Sequence, residues 1–403
     1  MRLAIPVILI AILLDAVGLG LIMPILPGLL RTLAPPGTQT FHYGGLLAAY
    51  ALMQFLCAPI LGALSDRFGR RPILLLSMIG AAADYVLMAV APSLAWLYVG
   101  RLISGATGAN MAVATASLTD LTPPEGRARR YGQLGAMFGL GFIAGPVLGG
   151  LLGDWHLRAP FVAAAILNGA NALLALIFLP ESRAADDRPA LSLKAVNPFT
   201  ALHRLSGGPR LLPLACVFAL ISFVSQIPGT LWILYGQDRL AWSLSVAGLS
   251  LAAYGACHAM AQAVLTGAAV KRLGEAAALL AGLAAEIVGM LLMSIATRSW
   301  IPFLALPLFA AGGMAMPALQ ALLSREVDDA RQGELQGVLA SVISLTGIVG
   351  PLLVSAVYGW SRGWWPGAIW AFGAMFYLLV WPLLAWRARS TPNPAMAGAQ
   401  GER

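Results

Sequence analysis

The sequence Gly62-Ala-Leu-Leu-Ser-Asp66-Arg67-Phe-Gly69-Arg70-Arg71 places four charged side chains within six residues, between two long apolar runs. Apolar runs of about 20 residues can span a bilayer, so this stretch is predicted to be a short turn between two membrane helices. Gly69 lets the chain reverse tightly, and the three arginines favour the cytoplasmic side. Asp66 can pair with these arginines or with a helix N-terminus. A loop that only sets the membrane topology is the alternative interpretation.

The composition of the whole chain indicates a membrane protein. Of its 403 residues, 59% are hydrophobic and 10% are charged, whereas soluble domains carry roughly 25% charged residues. Backbone polar groups in a bilayer must pair internally, so spanning segments are helices or closed barrels. The alternating pattern of barrel strands is missing from the sequence. We therefore predict an all-α integral membrane protein.

Twelve apolar runs are each long enough to cross a membrane. The predicted spans are 4–27, 43–64, 72–91, 95–118, 131–153, 160–180, 211–235, 245–270, 275–296, 300–323, 334–357 and 365–386. If the N-terminus is cytoplasmic, 19 of the 25 Lys and Arg residues lie on the cytoplasmic side, five lie opposite, and one lies within a span. This bias predicts that both termini face the cytoplasm. The net charge of +8 is thinly spread over many loops, which argues against nucleic-acid binding.

A polar segment divides the chain into two sets of six predicted spans. We predict an N-terminal bundle at 1–180, a cytoplasmic linker at 181–210, a C-terminal bundle at 211–390 and a disordered tail at 391–403. Two six-helix repeats of this kind place a substrate site near the membrane midplane, where the repeats meet.

An internal repeat supports the division. The residues Gly62, Arg67 and Gly69 recur 205 positions later as Gly267, Arg272 and Gly274, and Gly145-Pro146 recurs at the same offset as Gly350-Pro351. Lys271 stands where the first copy has Asp66. The two halves are therefore not expected to do the same electrostatic work.

Four ionisable residues lie deep in predicted spans, namely Asp15, Asp84, Arg101 and Glu286. A central Asp or Arg costs roughly 2.5–3.5 kcal/mol on insertion scales, so such residues usually face a cavity or a partner. Asp84 and Arg101 lie at a similar depth on neighbouring antiparallel spans, so they can pair. The pair is either a structural ion pair or part of the translocation pathway.

The other intramembrane groups suggest proton transfer. An apolar environment disfavours the charged form of a carboxyl group, so a buried carboxyl can take up and release a proton. We predict that Glu286 is the main proton carrier, that His258 assists it, and that Asp15 and Asp84 shape the cavity. Gln54 is predicted to line a cavity, and the other polar candidates for its walls are Asn110, Gln226, Gln262 and Gln320. For His258 and Gln54, a hydrogen-bonded packing role is the alternative.

The fifth predicted span carries a pattern of small residues that includes Gly141, Gly145, Pro146 and Gly149. Small residues allow helices to approach closely, and a proline inside a helix permits a bend. Ordinary helix packing and a specific transport motif both account for this pattern.

The motifs together resemble a known family. The spacing Gly-x-x-x-Asp-Arg-x-Gly-Arg-Arg resembles the signature loop of the major facilitator superfamily, and Gly141 to Gly149 resembles its antiporter motif. Along nearly its whole length the chain resembles the bacterial tetracycline efflux proteins. The narrower matches are Leu14-Asp15 to Pro27, Met316-Pro317-Ala-Leu-Gln320 and Gln332-Gly-Glu-Leu-Gln336-Gly337.

The resemblance implies a twelve-helix major facilitator fold in the bacterial inner membrane and export of tetracycline in exchange for a proton. It implies no cofactor, with Mg²⁺ entering only as part of a chelated, cationic substrate, and no obligate protein partner. Glu286 falls at the acidic position of helix 9, where those proteins usually have Asp. Asn110-Met111 stands where they usually have Thr-Gly.

Two other functions compete with this interpretation. The first is proton-coupled export of other drugs or of a metabolite by the same fold. The second is a membrane-embedded enzyme, which is disfavoured because the sequence has no clustered nucleophile, metal-ligand set or phosphate-binding loop.

Overall fold

The computed structural model describes residues 4–183, 211–328 and 331–383, and this part of the chain is helical with no strand. Most of the predicted linker and the whole predicted tail lie outside the described residues. The helices are α1 (Ala4–Ile22), α2 (Leu26–Leu33), α3 (Gln39–Phe68), α4 (Arg70–Val90), α5 (Leu94–Thr107), α6 (Asn110–Leu121), α7 (Pro124–Trp155), α8 (Ala159–Phe178), α9 (Leu211–Val224), α10 (Gln226–Leu240), α11 (Leu244–Met260), α12 (Gly267–Leu273), α13 (Glu275–Ser294), α14 (Ile301–Gly312), α15 (Ala315–Ser324), α16 (Gln332–Ser361) and α17 (Ala368–Leu378).

Ten helical segments of the described chain are long and apolar enough to cross a membrane. The α5–α6 pair and the shorter apolar segment Ala368–Leu383 lie where two further spans were predicted. The fold therefore accords with the twelve spans expected from the sequence.

Several of the predicted spans are interrupted in the structure. The first breaks between α1 and α2, the fourth between α5 and α6, the seventh between α9 and α10, and the tenth between α14 and α15. In the eighth span, a π-helical segment at Ala261–Thr266 joins α11 to α12. Hydropathy does not reveal these interruptions, because they are short and consist mainly of apolar or small residues.

The fifth span also extends beyond its predicted limits. It was predicted to begin at residue 131, but α7 begins at Pro124. Proline is well tolerated in the first turn because its missing N–H has no helical acceptor there, and Glu125 in the same turn favours the positive end of the helix dipole. Hydropathy misses this polar part of the helix.

The helices form two bundles, α1–α8 and α9–α17. In the first, α1 packs on α7 and α8, and α3 packs on α5; in the second, α13 packs on α14, α15 and α17. The bundles meet where α7 packs on α11 and where α3 packs on α16. The repeat is visible in the backbone, since Gly69 (φ 107°, ψ 160°) and Gly274 (φ 81°, ψ 164°) adopt the same conformation at equivalent turns. A positive φ of this kind strongly favours glycine.

The glycines of α7 bring it into direct contact with the backbone of α1. A Cβ atom on Gly141 would lie 2.6 Å from the carbonyl oxygen of Leu13, and one on Gly145 would lie 2.6 Å from that of Val17. Gly149 faces Leu21 in the same way, one turn further on. The predicted close approach of helices is confirmed, and Pro146 lies within a continuous α7.

Candidate functional site

The charged turn between α3 and α4 is held by carboxylates of its own half. The two carboxylate oxygens of Glu181 accept hydrogen bonds from the backbone N–H groups of Arg70 (2.8 Å) and Arg71 (3.2 Å). They thereby cap the N-terminus of α4, whose first N–H groups have no helical acceptor. Arg70 Nη1 lies 2.8 Å from Asp66 Oδ1, and Asp66 also pairs with Arg183.

The other residues of the predicted turn differ in their surroundings. The guanidinium of Arg71 donates to the carbonyl oxygen of Leu176 (2.6 Å). Arg67 is exposed and makes no ion pair with any residue that the structure describes. A Cβ atom on Gly62 would meet nothing within 4 Å. The structure thus gives a packing reason for glycine at position 69 but not at position 62.

Each half has an ion pair at the same two positions of the repeat, but the acidic and basic residues are exchanged. Arg70 Nε donates to Asp120 Oδ2 (3.0 Å) in the first half, and Arg325 lies 2.7 Å from Glu275 in the second. The offset of 205 residues relates Arg70 to Glu275 and Asp120 to Arg325. The positions of the pair are retained between the halves, whereas the signs of its charges are exchanged.

At the end of the molecule opposite to the charged turn, polar side chains tie the two halves together. Asp154, near the end of α7, accepts hydrogen bonds from the backbone N–H groups of Leu244 (3.2 Å) and Ser245 (3.1 Å) at the start of α11, and from the Ser245 hydroxyl. Arg31 pairs with Asp238 across the same boundary (2.8 Å).

Two further hydrogen bonds reinforce this end. Gln237 Nε2 donates to the Pro24 carbonyl oxygen (2.8 Å), and Arg362 Nη1 donates to Thr40 Oγ1 (3.3 Å). We refer to the contacts of Asp154, Arg31, Gln237 and Arg362 as the outer ties. They hold the halves in contact at the end away from the charged turn.

A cavity of about 800 Å³ lies between the halves, on the charged-turn side of the outer ties. Its wall comes mainly from the first half, and α10 and α16 of the second half complete it. Its aromatic lining residues are Tyr50, Phe55, Tyr85 and Phe138. A mostly apolar lining with a few convergent polar groups is typical of small-molecule sites.

Asp15 supplies the carboxylate of this cavity. Asn110 Nδ2 donates to Asp15 Oδ1 (2.7 Å), and both residues line the cavity. Gln54 lies on the same wall and donates through Nε2 to the carbonyl oxygen of Gly108 (3.2 Å). The structure thus brings Asp15, Gln54 and Asn110 together on one cavity wall.

Asp84 and Arg101 are placed differently from the prediction. They form a buried ion pair, as their matched depth predicted, and the Asp84 side chain is 0% exposed. Neither residue lines the cavity, so the prediction that Asp84 shapes the cavity wall was wrong for this conformation. The two charges neutralise each other behind the residues that line the cavity. The guanidinium of Arg101 lies over the ring of Tyr50, a lining residue, at 5.6 Å from the ring centroid.

Glu286 and His258 lie together in a second cavity of about 320 Å³, within the second half. Tyr254 and Tyr377 line it too, and the ring of Tyr254 lies 5.6 Å from that of His258. Glu286 forms no ion pair within the described part of the chain. The sequence-predicted translocation residues therefore occupy separate places, with Asp15 and Gln54 in one half and Glu286 and His258 in the other.

Sequence reasoning missed the helix interruptions beside both cavities. The α5–α6 interruption at Gly108-Ala109 lines the large cavity, and the α14–α15 interruption at Gly313-Met314 adjoins the small one. The offset of 205 relates Gly108 to Gly313. A glutamine of the neighbouring span donates to each glycine carbonyl, Gln54 to Gly108 (3.2 Å) and Gln262 to Gly313 (3.1 Å). The glycines at equivalent positions of the repeat are the sequence signal that could have revealed these interruptions.

Among the described residues, no three His, Cys, Asp or Glu side chains are grouped as metal ligands. Asp15 is the one carboxylate among the residues that line the large cavity. A cavity of this kind suits a cargo that brings its own positive charge.

Known proteins resemble this chain in both sequence and structure. The family model of the Major Facilitator Superfamily matches residues 8–256 and 214–402. The class C tetracycline resistance protein of Escherichia coli is 52% identical over 96% of this chain and 99% of its own length. The class G protein of Vibrio anguillarum is 50% identical over 92% and 94%. A solved structure of the nucleoside transporter NupG shares the fold, with a TM-score of 0.80 and 13% identity over 96% of this chain and 100% of its own. These similarities confirm the resemblance that the motifs indicated.

Proposed function

This chain belongs to the Major Facilitator Superfamily and, within it, to the tetracycline resistance proteins, and we propose that it exports tetracycline from the bacterial cell in exchange for protons. It is a multi-pass membrane transporter of a small molecule, and we place it in the inner membrane. The observation that carries the proposal is the cavity between the halves, where Asp15 and an aromatic lining meet in a chain whose relatives at 40–52% identity are named for tetracycline resistance.

The cargo is tetracycline bound to a divalent cation such as Mg²⁺. Such a complex carries a positive charge, which the Asp15 carboxylate attracts, and fused rings, which the faces of Tyr50 and Phe138 can cover. The metal arrives as part of the substrate and needs no resident site in the protein.

The conformation corresponds to the stage at which cargo enters from the cell. The positive-charge bias of the sequence puts the charged turn on the cytoplasmic side. The outer ties then close the periplasmic end, and the cavity lies on the cytoplasmic side of them. Export proceeds by rocking of the two halves about the central site, which requires the outer ties to break.

Proton coupling is assigned to Glu286, with His258 assisting. The two residues share a cavity in the half that does not carry Asp15. Glu286 forms no ion pair with any described residue, so no fixed cation holds its carboxyl group in the charged form, and it can take up and release a proton. Proton and cargo therefore act on different halves, and each can bias the rocking motion.

Asp66 is proposed to hold the cytoplasmic end when the cavity faces outward. In the present conformation its partners, Arg70 and Arg183, belong to the first half and the residues that follow it. The substitution Asp66→Asn should lower the rate of export without changing the affinity for cargo. An unchanged export rate would rule out this role.

The test of the function is tetracycline accumulation in inverted membrane vesicles energised by a proton gradient. We expect accumulation that requires Mg²⁺ and collapses on addition of an uncoupler. Glu286→Gln should abolish the proton-driven component, whereas the matched control Glu334→Gln, which removes a carboxylate from the start of α16, should retain it. No accumulation by well-expressed wild-type protein would exclude tetracycline as the cargo and leave export of another drug or metabolite by the same fold.

A further inference from the structure

The fourth span is interrupted where it borders the large cavity. α5 ends at Thr107 and α6 begins at Asn110, and the dihedral angles of Gly108 (φ −75°, ψ 67°) and Ala109 (φ −117°, ψ 6°) lie outside the α-helical range. The residues from Gly108 to Ala112 all line the cavity. Transporters commonly bind substrate at interrupted helices, because the interruption frees backbone groups at the depth of the site.

The backbone groups on the two sides of this interruption differ in their hydrogen bonding. On the α5 side, the Gly108 carbonyl oxygen accepts a hydrogen bond from Gln54 (3.2 Å). On the α6 side, the backbone N–H groups of Asn110, Met111 and Ala112 meet no acceptor among the residues that the structure describes, and no side chain caps the helix. The interruption thus offers hydrogen-bond donors, at the positive end of a twelve-residue helix.

Two buried side chains that line the same cavity also have unpaired polar atoms. Ser77 lines the cavity and is 2% exposed, and its hydroxyl has no partner within the described chain. Asn110 is 8% exposed, and its Oδ1 is likewise without a partner there, although its Nδ2 holds Asp15. Buried polar groups in folded proteins are nearly always paired, so the Ser77 hydroxyl points to a ligand or water oxygen that accepts from it, and Asn110 Oδ1 points to a donor or a cation.

We propose that the N-terminus of α6 is an oxygen-binding subsite of the cavity. Its free N–H groups receive an anionic or strongly electronegative oxygen of the cargo, while Asp15, held by Asn110, faces the adjoining positive centre. The favoured ligand therefore carries an anionic oxygen and a cation side by side, as a metal chelate or a zwitterion does. A cation without such an oxygen uses only half of the site.

This inference rests on the proposed function, and removal of one backbone donor tests it. Met111 occupies the second position of α6, where its N–H has no helical acceptor, so Met111→Pro deletes the donor at a position that tolerates proline. Met111→Ala is the matched control, because it shortens the side chain and keeps the donor. The measurement is equilibrium binding of tetracycline with Mg²⁺ to the purified, full-length proteins.

We expect Met111→Pro to bind about tenfold more weakly than Met111→Ala, which is the usual effect of a lost hydrogen bond to a charged acceptor. If the proline variant does not fold, replacement of Met111 by its α-hydroxy acid analogue removes the same N–H and keeps the side chain, and the same loss is expected. Equal affinities for the donor-deleted protein and its control overturn the subsite alone. Failure of the wild-type protein to bind tetracycline with Mg²⁺ overturns the proposed cargo and the subsite with it.

Discussion

The substitution Asp154→Ala should shift the protein away from the conformation described here. Asp154 belongs to the other half, but its carboxylate accepts from the backbone N–H groups of Leu244 and Ser245 at the start of α11. It thereby adds to the cap that the N-cap residue Ser243 provides for Val246. The contribution of Asp154 exists only while the halves are in contact at that end. Removal of the carboxylate therefore destabilises this conformation without a matching loss in the conformation that opens there.

The size of the shift follows from the geometry. A helix cap contributes about 1 kcal/mol. Because Asp154 is exposed, we assign its contacts no more than this value. A change of about 1 kcal/mol alters a two-state ratio about fivefold at room temperature. The Arg31–Asp238 pair is a weaker tie, because its side chains are 46% and 25% exposed, and Arg31→Ala should change the ratio only about twofold.

Pulsed electron paramagnetic resonance can measure this ratio. The free cysteines Cys57, Cys216 and Cys257 are first replaced by serine, and spin labels are then placed at the exposed positions Phe41 and Trp364, one on each half. The population at longer distances should rise about fivefold for Asp154→Ala and about twofold for Arg31→Ala. Asp154→Asn, which keeps an acceptor oxygen and loses the charge, should fall between the wild type and Asp154→Ala. An Asp154→Ala shift no larger than that of Arg31→Ala would refute the reasoning.

Three further substitutions test other contacts. Gly145→Val should lower the free energy of unfolding by about 1–3 kcal/mol, because its Cβ has no room against α1. The control Gly139→Val, whose side chain would face open space, should cause no such loss. Equal melting temperatures for the two variants would contradict the packing. Glu181→Gln should lower the free energy of unfolding by about 1 kcal/mol, because Gln has one acceptor oxygen where both oxygens of Glu181 accept from the start of α4. An unchanged melting temperature would contradict the cap. Asn110→Ala should weaken tetracycline binding severalfold by releasing Asp15, and unchanged affinity in a binding titration would show that Asp15 needs no positioning.

Much of the fold follows from one-dimensional patterns. Hydropathy located the spans, because every residue facing lipid must be apolar, and the offset between Gly69 and Gly274 revealed the repeat. The pairing of Asp84 with Arg101 was predictable because they lie at the same depth on neighbouring spans, and buried charges need partners. These features depend on depth in the membrane, which follows from the position of a residue within its span.

The features that were missed depend on packing between distant parts of the chain. The interruption at Gly108-Ala109 changes no hydropathy, and its geometry depends on Gln54, a residue of another span. The outer ties join Asp154 to α11 and Arg31 to Asp238, pairs whose separation in sequence is large. Depth alone does not say which face of a helix meets a cavity, so Asp84 and Asp15 looked alike in sequence although one is buried behind the wall.

The exchanged polarity of Arg70–Asp120 and Glu275–Arg325 limits how the two halves can be recombined. A hybrid chain that combines Arg70 of the first half with Arg325 of the second would set two positive side chains against each other. The reverse hybrid, with Glu275 and Asp120, would pair two negative side chains. Exchange is compatible with this contact only when both members of the pair move as one block. Viable chimeras should therefore have their junctions outside the stretches from 70 to 120 and from 275 to 325.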